Sequence, residues 1–276
     1  MRRRLQEIPP SLVRVLDEDP ALADGLRGDD LASAASEAVA ICHALPRGTG
    51  PARFPGSSAD MGLLILDGFL GRETSLSGRR ALELLGPGDI VRPWDTSDDD
   101  DAPVATSTMW TVIQPARVAV LDDRFARAAG QWPALMTGLM SRAMQRSRWL
   151  TLHAAASAIP RLQDRLLLLL WLAADRWGRV TPKGVIVPIT LTQSQLAAMA
   201  GARRPSVSTA MTALAARGLV TRERGGGWCL SPEVAEHVER LGTADEHVGA
   251  WERVASSVPG ARIGALAPLF GLIGAF

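Results

Sequence analysis

The spacing of apolar positions changes twice along the chain. Up to residue 50 it suggests short helices, over Ser11–Leu16 and Leu31–Leu45, interrupted by Asp, Pro and Gly. From Met61 the period shortens. Met61–Gly71 is a β-rich run around Asp67-Gly68, a dipeptide that favours a two-residue hairpin. Ala81–Leu85 reads as a short strand entering the tight turn Gly86-Pro87-Gly88-Asp89, and Thr108–Pro115 and Ala116–Leu121 read as two more strands. Short strands at close spacing with Gly/Pro turns predict a small antiparallel barrel or sandwich.

After Asp122 the helical period returns. Phe125, Trp132, Leu135, Met136, Leu139, Met140, Ala143, Met144 and Leu150 recur at steps of three and four. Pro133 suits a first helical turn, and a helix over Pro133–Ala155 would be about 35 Å long. Its apolar stripe reads either as core or as a seam between two copies of the chain. A helix over Ile159–Trp177 follows, then a β-like segment, Arg179–Thr190, around Pro182-Lys183-Gly184.

The next segment carries the chemistry. Thr192-Gln-Ser-Gln195 has the form of a capping box, opening a helix with Leu196, Ala197, Met199 and Ala200. Gly201 follows Ala197 by four residues, and Val207, Ala210 and Leu214 come next, the spacing of a helix-turn-helix. Pro205 marks the first turn of the second helix, whose leading residues are Arg203, Arg204, Ser206, Ser208 and Thr209. Those N-terminal positions are the ones a recognition helix offers to base edges. Leu219–Leu230 reads as a hairpin wing with Arg222 and Arg224 at its tip.

The order of these parts, and the run Leu191-Thr-Gln-Ser-Gln-Leu-Ala-Ala-Met-Ala-Gly-Ala-Arg-Arg-Pro-Ser-Val-Ser-Thr209, resembles the Crp/Fnr (cyclic AMP receptor protein/Fnr) family. The resemblance is concentrated in 159–231, weaker over 60–155, and absent from 1–50 and 233–276. It implies an α+β chain: an N-terminal double-stranded β-roll sensor (cNMP-binding-like, a jelly roll), a long dimerisation helix and a C-terminal winged helix-turn-helix. The boundaries expected are 1–121 for the sensor with a helical leader, 122–155 for the dimer helix, 156–232 for the DNA-binding domain and 233–276 for an extension. The implied function is a homodimeric transcription regulator, not an enzyme, reading palindromic double-stranded DNA through residues 204–217, with RNA polymerase as a possible further partner.

Residue by residue, Arg204 carries over as a guanine reader, since its fork suits O6 and N7. Ser206 carries over as a phosphate or base-edge contact. The family's usual glutamate and second arginine are replaced by Pro205 and Thr209. Ser208 and Thr209 complete the reading face, Thr192 stands at the cap, and Arg203, Arg222 and Arg224 are expected on phosphates. The dimer interface expected is Trp132, Leu135, Met136, Leu139, Met140, Ala143 and Leu150. The sensor departs from the cyclic-nucleotide binders of the family. Gly88-Asp89-Ile-Val-Arg92-Pro-Trp94 runs into Asp98–Asp101, and four aspartates would repel a phosphate. No cyclic nucleotide and no cofactor is expected, and the effector stays open. The alternative is a ligand-binding or protein-interaction module whose winged helix contacts protein.

Charge and composition change this picture in one respect. The chain has 276 residues and a formal net charge of +1, which alone argues against a nucleic-acid partner. Divided by segment it does not: 1–121 carries −6, 122–155 +3, 156–232 +7 and 233–276 −3. The positive charge sits where phosphates would be met. Two cysteines, Cys42 and Cys229, provide neither a disulfide framework nor a metal cluster, and Cys42-His43 reads as a partly buried helical pair rather than a haem ligand set. No histidine falls in 44–152, which excludes a cupin-type metal enzyme. Met1-Arg-Arg-Arg4 is followed by no apolar run, and Leu166–Ala174 is far short of the roughly 20 residues of a membrane span. A soluble cytoplasmic protein is expected.

Overall fold

The computed structural model describes residues 9–51, 54–95, 104 and 106–243. The acidic run Asp98–Asp101 and most of the tail lie outside them. The chain divides into two compact units, Met1–Thr151 and Leu152–Phe276.

In the first unit, β1 (Ser11–Arg14), α1 (Val15–Glu18), a 3-10 turn at Pro20–Ala23, α2 (Gly28–Glu37) and β2 (Val39–Leu45) come first. They are followed by β3 (Gly48–Thr49), β4 (Gly62–Leu76), β5 (Arg79–Leu85), β6 (Ile90–Val91), β7 (Ser107–Leu121), α3 (Asp123–Ala129) and α4 (Pro133–Ser157), which continues into the second unit. The strands form one antiparallel sheet in the order β1-β2-β7-β4-β5, with β3 on β7 and β6 on β4.

The apolar runs of β4 and β7 serve both faces of this sheet. Leu63, Ile65, Val118 and Val120 enter one buried cluster. Leu64, Ala119 and Leu121 enter the other, with Phe125, Trp132, Leu135 and Leu139. Successive strand residues point to opposite faces, so a strand buried on both sides reads as an unbroken apolar run.

Four expectations are corrected here. Ser11–Arg14 and Val39–Leu45 are strands, not helix, and they pair as the edge of the sensor sheet, with Leu12 opposite Ile41. Cys42 and His43 therefore lie on β2, where neighbours face opposite sides and cannot share a ligand sphere. Asp67-Gly68 is not a hairpin turn but a bulge inside β4, where the register against β7 slips between Ile65 and Leu70. Gly68 is required there: its φ is +79°, and a Cβ would lie 2.0 Å from the Pro115 carbonyl oxygen.

Thr108–Leu121 is one strand rather than two. Pro115 sits opposite the bulge, where the β4 ladder is interrupted and a missing N–H costs little. The hairpin turn is Ser77-Gly78, with φ values of +49° and +73°, which closes β4 onto β5.

The second unit contains α5 (Leu162–Trp177), β8 (Arg179–Thr181), β9 (Gly184–Val187), α6 (Gln193–Met199), α7 (Arg204–Ala216), β10 (Val220–Arg222), β11 (Trp228–Leu230) and α8 (Glu233–Thr243). Its sheet has the order β10-β11-β9-β8. The run Leu166–Ala174 is buried almost throughout, which makes α5 the core helix of this unit.

Candidate nucleic-acid interface

The helix-turn-helix is built by local chemistry. The Thr192 hydroxyl oxygen accepts from the Gln195 N–H at 3.2 Å, and the Gln195 side-chain oxygen accepts from the Thr192 N–H at 2.9 Å. This closed box starts α6 at a fixed residue. At the other end Gly201 adopts φ +59° in open space, so the turn requires its conformational freedom rather than its small size. The Arg165 guanidinium donates to the Ala200 carbonyl at 2.8 Å and to the Ile159 carbonyl at 2.9 and 2.7 Å, which anchors the turn to α5. Thr192→Ala should lower the unfolding free energy by about 0.5–2 kcal/mol, seen as a fall of a few degrees in the melting temperature.

Val207, Ala210, Met211 and Leu214 form the buried side of α7. The helical period puts Pro205, Thr209, Thr212 and Ala216 on the opposite side, with Ser208 beside them. Arg203, Arg204, Ser206, Ser208 and Thr209 are all exposed, as their places in the sequence predict. Thr212 lies on the same face and escapes the sequence reading, although its spacing from Thr209 marks it. The hydroxyls of Thr209 and Thr212 donate to the carbonyls of Pro205 and Ser208 at 3.2 and 3.0 Å, leaving acceptor lone pairs outward.

Both arginines of the wing are exposed at its turn end. Arg224 is exposed in the Glu223–Gly227 turn. Arg222, the last residue of β10, pairs with Trp228 beside that turn and donates to the Gly226 carbonyl at 2.8 Å and the Leu191 carbonyl at 3.3 Å, with its guanidinium 4.1 Å from the Trp228 ring centroid. It ties the wing to the start of α6.

On α4 the expected interface set separates into two groups. Trp132, Leu135 and Leu139 are buried in the core of their own unit, which removes them from a surface for a second chain. Met136, Met140, Ala143 and Leu150 are exposed. So is Met144, at 63%.

The polar groups of the sensor stretch from Gly86 to Asp95 bond to their own chain. Asp89, 1% exposed, accepts the Gly86 N–H at 2.9 Å and closes the Gly86–Asp89 turn. Arg92 donates to the Asp95 carboxylate at 2.5 Å and to the carbonyls of Ser58, at 2.9 Å, and Asp60. Its guanidinium lies over the Trp94 ring. Burial lowers the pKa of His43, which favours its neutral form. Among the described residues no group of three or more His, Cys, Asp or Glu could hold a metal, and no helix is long and apolar enough to cross a membrane.

Residues 161–232 match the family model of the Crp-like helix-turn-helix domain. No curated protein matches the chain in sequence. Among solved structures, FixK2 from Bradyrhizobium japonicum aligns at 17% identity, over 75% of this chain and 97% of its own, with a TM-score of 0.52. A CRP-family transcriptional regulator from Thermus thermophilus aligns at 17% identity, over 71% and 96%, with a TM-score of 0.50. A CooA variant from Carboxydothermus hydrogenoformans aligns at 14% identity, over 71% and 87%, with a TM-score of 0.52. These likenesses are of fold. The sequence match places a Crp-like helix-turn-helix domain at residues 161–232, the segment that carries the exposed face of α7.

Proposed function

We propose that the chain works as a homodimer on a palindromic DNA site, without a cyclic nucleotide. The observation that carries the dimer is the second stripe of α4. Met136, Met140, Ala143, Ser147 and Leu150 are exposed and follow alternating steps of four and three, the spacing of a two-helix seam. Exposed methionines at that spacing bury their apolar surface against the same row of a second copy. Two-fold symmetry then sets the two α7 helices about 34 Å apart, in successive major grooves.

In this reading Arg204 takes a guanine, and Ser206, Ser208, Thr209 and Thr212 meet base edges or nearby phosphates. Arg203 and Arg224 hold phosphates, Thr192 meets the backbone through the first turn of α6, and Arg222 positions the wing. The division of labour is sensor 1–121, dimer helix 122–155, DNA-binding domain 156–232 and extension 233–276. A regulator bound beside a promoter meets RNA polymerase there, in the cytoplasm. The occupied Arg92 and the tightly turned Gly86–Asp89 offer a cyclic phosphate no ready cation, so cyclic AMP should not change the affinity for DNA.

Salt titration tests the reading. Two chains should bind one duplex, with log K falling about 0.9 per phosphate contact for each unit of log salt. Arg224→Ala should flatten that slope by about 2, because each subunit then neutralises one phosphate fewer. Binding to duplex DNA that ignores salt would instead point to a winged helix that contacts protein.

A further inference from the structure

We propose that two partly buried ion pairs, Asp19–Arg142 and Glu83–Arg146, set the rotation of α4 about its own axis and so select the stripe it presents to a second subunit. The inference rests on the dimer reading above and gives it a positioning device.

Two stripes of the same period run side by side along α4. One is inward: Leu135, Leu139, Arg142, Arg146 and Trp149. The other is outward: Met136, Met140, Ala143, Ser147 and Leu150. They are offset by one residue, about 100° of helical rotation. At the N-terminal end both are apolar, and leucine and methionine fill similar volumes. Packing there discriminates weakly between one setting and the other.

The middle of the helix discriminates strongly. Arg142 donates to both oxygens of Asp19 at 2.8 and 2.9 Å. Arg146 grips Glu83 with two bonds, at 2.7 and 3.1 Å. Both pairs belong to the first unit, and the Glu83 side chain is only 7% exposed. Arg72 adds a third cation, 2.6 Å from Glu83, and its guanidinium lies over the Trp110 ring.

Burial works against the charge on Arg146, but the Glu83 hydrogen bonds and the nearby Asp89 carboxylate outweigh it and hold the guanidinium protonated more firmly than usual. A fork on a carboxylate fixes direction as well as distance. Turning α4 by one residue to bring Ala143 and Ser147 to these carboxylates would strip both guanidinium groups of their partners and carry the row of Thr137, Ser141, Met144 and Arg148 into the seam. Buried polar pairs are best attested in this role of specifying register rather than adding stability.

Disulfide cross-linking of the full chain tests the device, with cysteine placed at Ala143→Cys on the outward stripe or Met144→Cys on the exposed row one residue further round. In the otherwise unchanged chain Ala143→Cys should cross-link and Met144→Cys should do so only weakly. Two backgrounds are used: Asp19→Asn/Glu83→Gln removes the charge from both pairs, and Glu83→Leu/Arg146→Leu/Asp19→Asn also replaces the second pair with apolar volume and should stay folded by circular dichroism. In both, cross-linking at Ala143→Cys should fall about tenfold or more, a usual size for coupling between two settings, and Met144→Cys should gain it. Unchanged cross-linking at Ala143→Cys would overturn the proposal. So would its loss with no gain at Met144→Cys, since the pairs would then only support the helix. Failure of Ala143→Cys in the unchanged chain would instead sink the dimer reading.

Discussion

Replacing Arg204 with alanine should cost about 1–3 kcal/mol of specific DNA binding for each copy of the contact, and a symmetric dimer makes that contact twice. The combined effect, on the order of two to four decades in Kd, should appear on the palindromic site and largely vanish on a scrambled duplex. Arg204 stands in the first turn of α7, exposed, on a helix whose buried side is fixed by Val207, Ala210, Met211 and Leu214. Its removal therefore leaves the fold intact. Lysine at this position should not rescue the preference, because a point charge cannot reproduce a two-bond fork on guanine. Fluorescence anisotropy on both duplexes checks the result. Equal losses on the two would reassign Arg204 to phosphate.

The other large effect is expected from Met140→Lys. Met140 is 60% exposed within the chain, so the substitution should leave the melting of an isolated chain nearly unchanged. At a two-fold seam the same residue from each subunit comes close to its copy. Two ammonium groups would then be desolvated side by side, with no acidic residue anywhere between Pro133 and Ser157 to neutralise them. Sedimentation should show monomers at concentrations where the wild type is dimeric. DNA affinity should drop about 10²–10⁴-fold, because two half-sites are no longer engaged by one linked pair. A Met140→Lys protein that remains dimeric would place the seam elsewhere.

Much of the DNA-binding unit is legible in the residues, because its determinants are local. Thr192 and Gln195 cap within four residues, Gly201 makes the turn, and Pro205 opens the next helix. The sensor is less legible, because strands are decided by partners far away. Val39–Leu45 carries spacing that suits a short helix as well as a strand, and only β7 settles it. Asp67-Gly68 and Ser77-Gly78 both have the chemistry of a two-residue turn. The long partner β7 runs past the first and leaves the second as the true reversal.

The α4 stripe reads as one surface in the sequence because steps of three and four do not separate rows that lie one residue apart. The carbonyl partners of Arg222 and its place over the Trp228 ring are set by pairings that local spacing does not reveal.

The pairing of β2 with β7 also bears on how the molecule is made. Ile41 meets Val120 and Leu45 meets Ala116, so strands formed early in synthesis wait for most of the sensor to leave the ribosome. The buried cluster that holds Val15 and Leu22 also needs Leu135 and Leu139. Long-range antiparallel pairing of this kind is slow and exposes strand edges while it waits. The nascent first unit should therefore stay open to chaperones and proteases until the beginning of α4 has emerged.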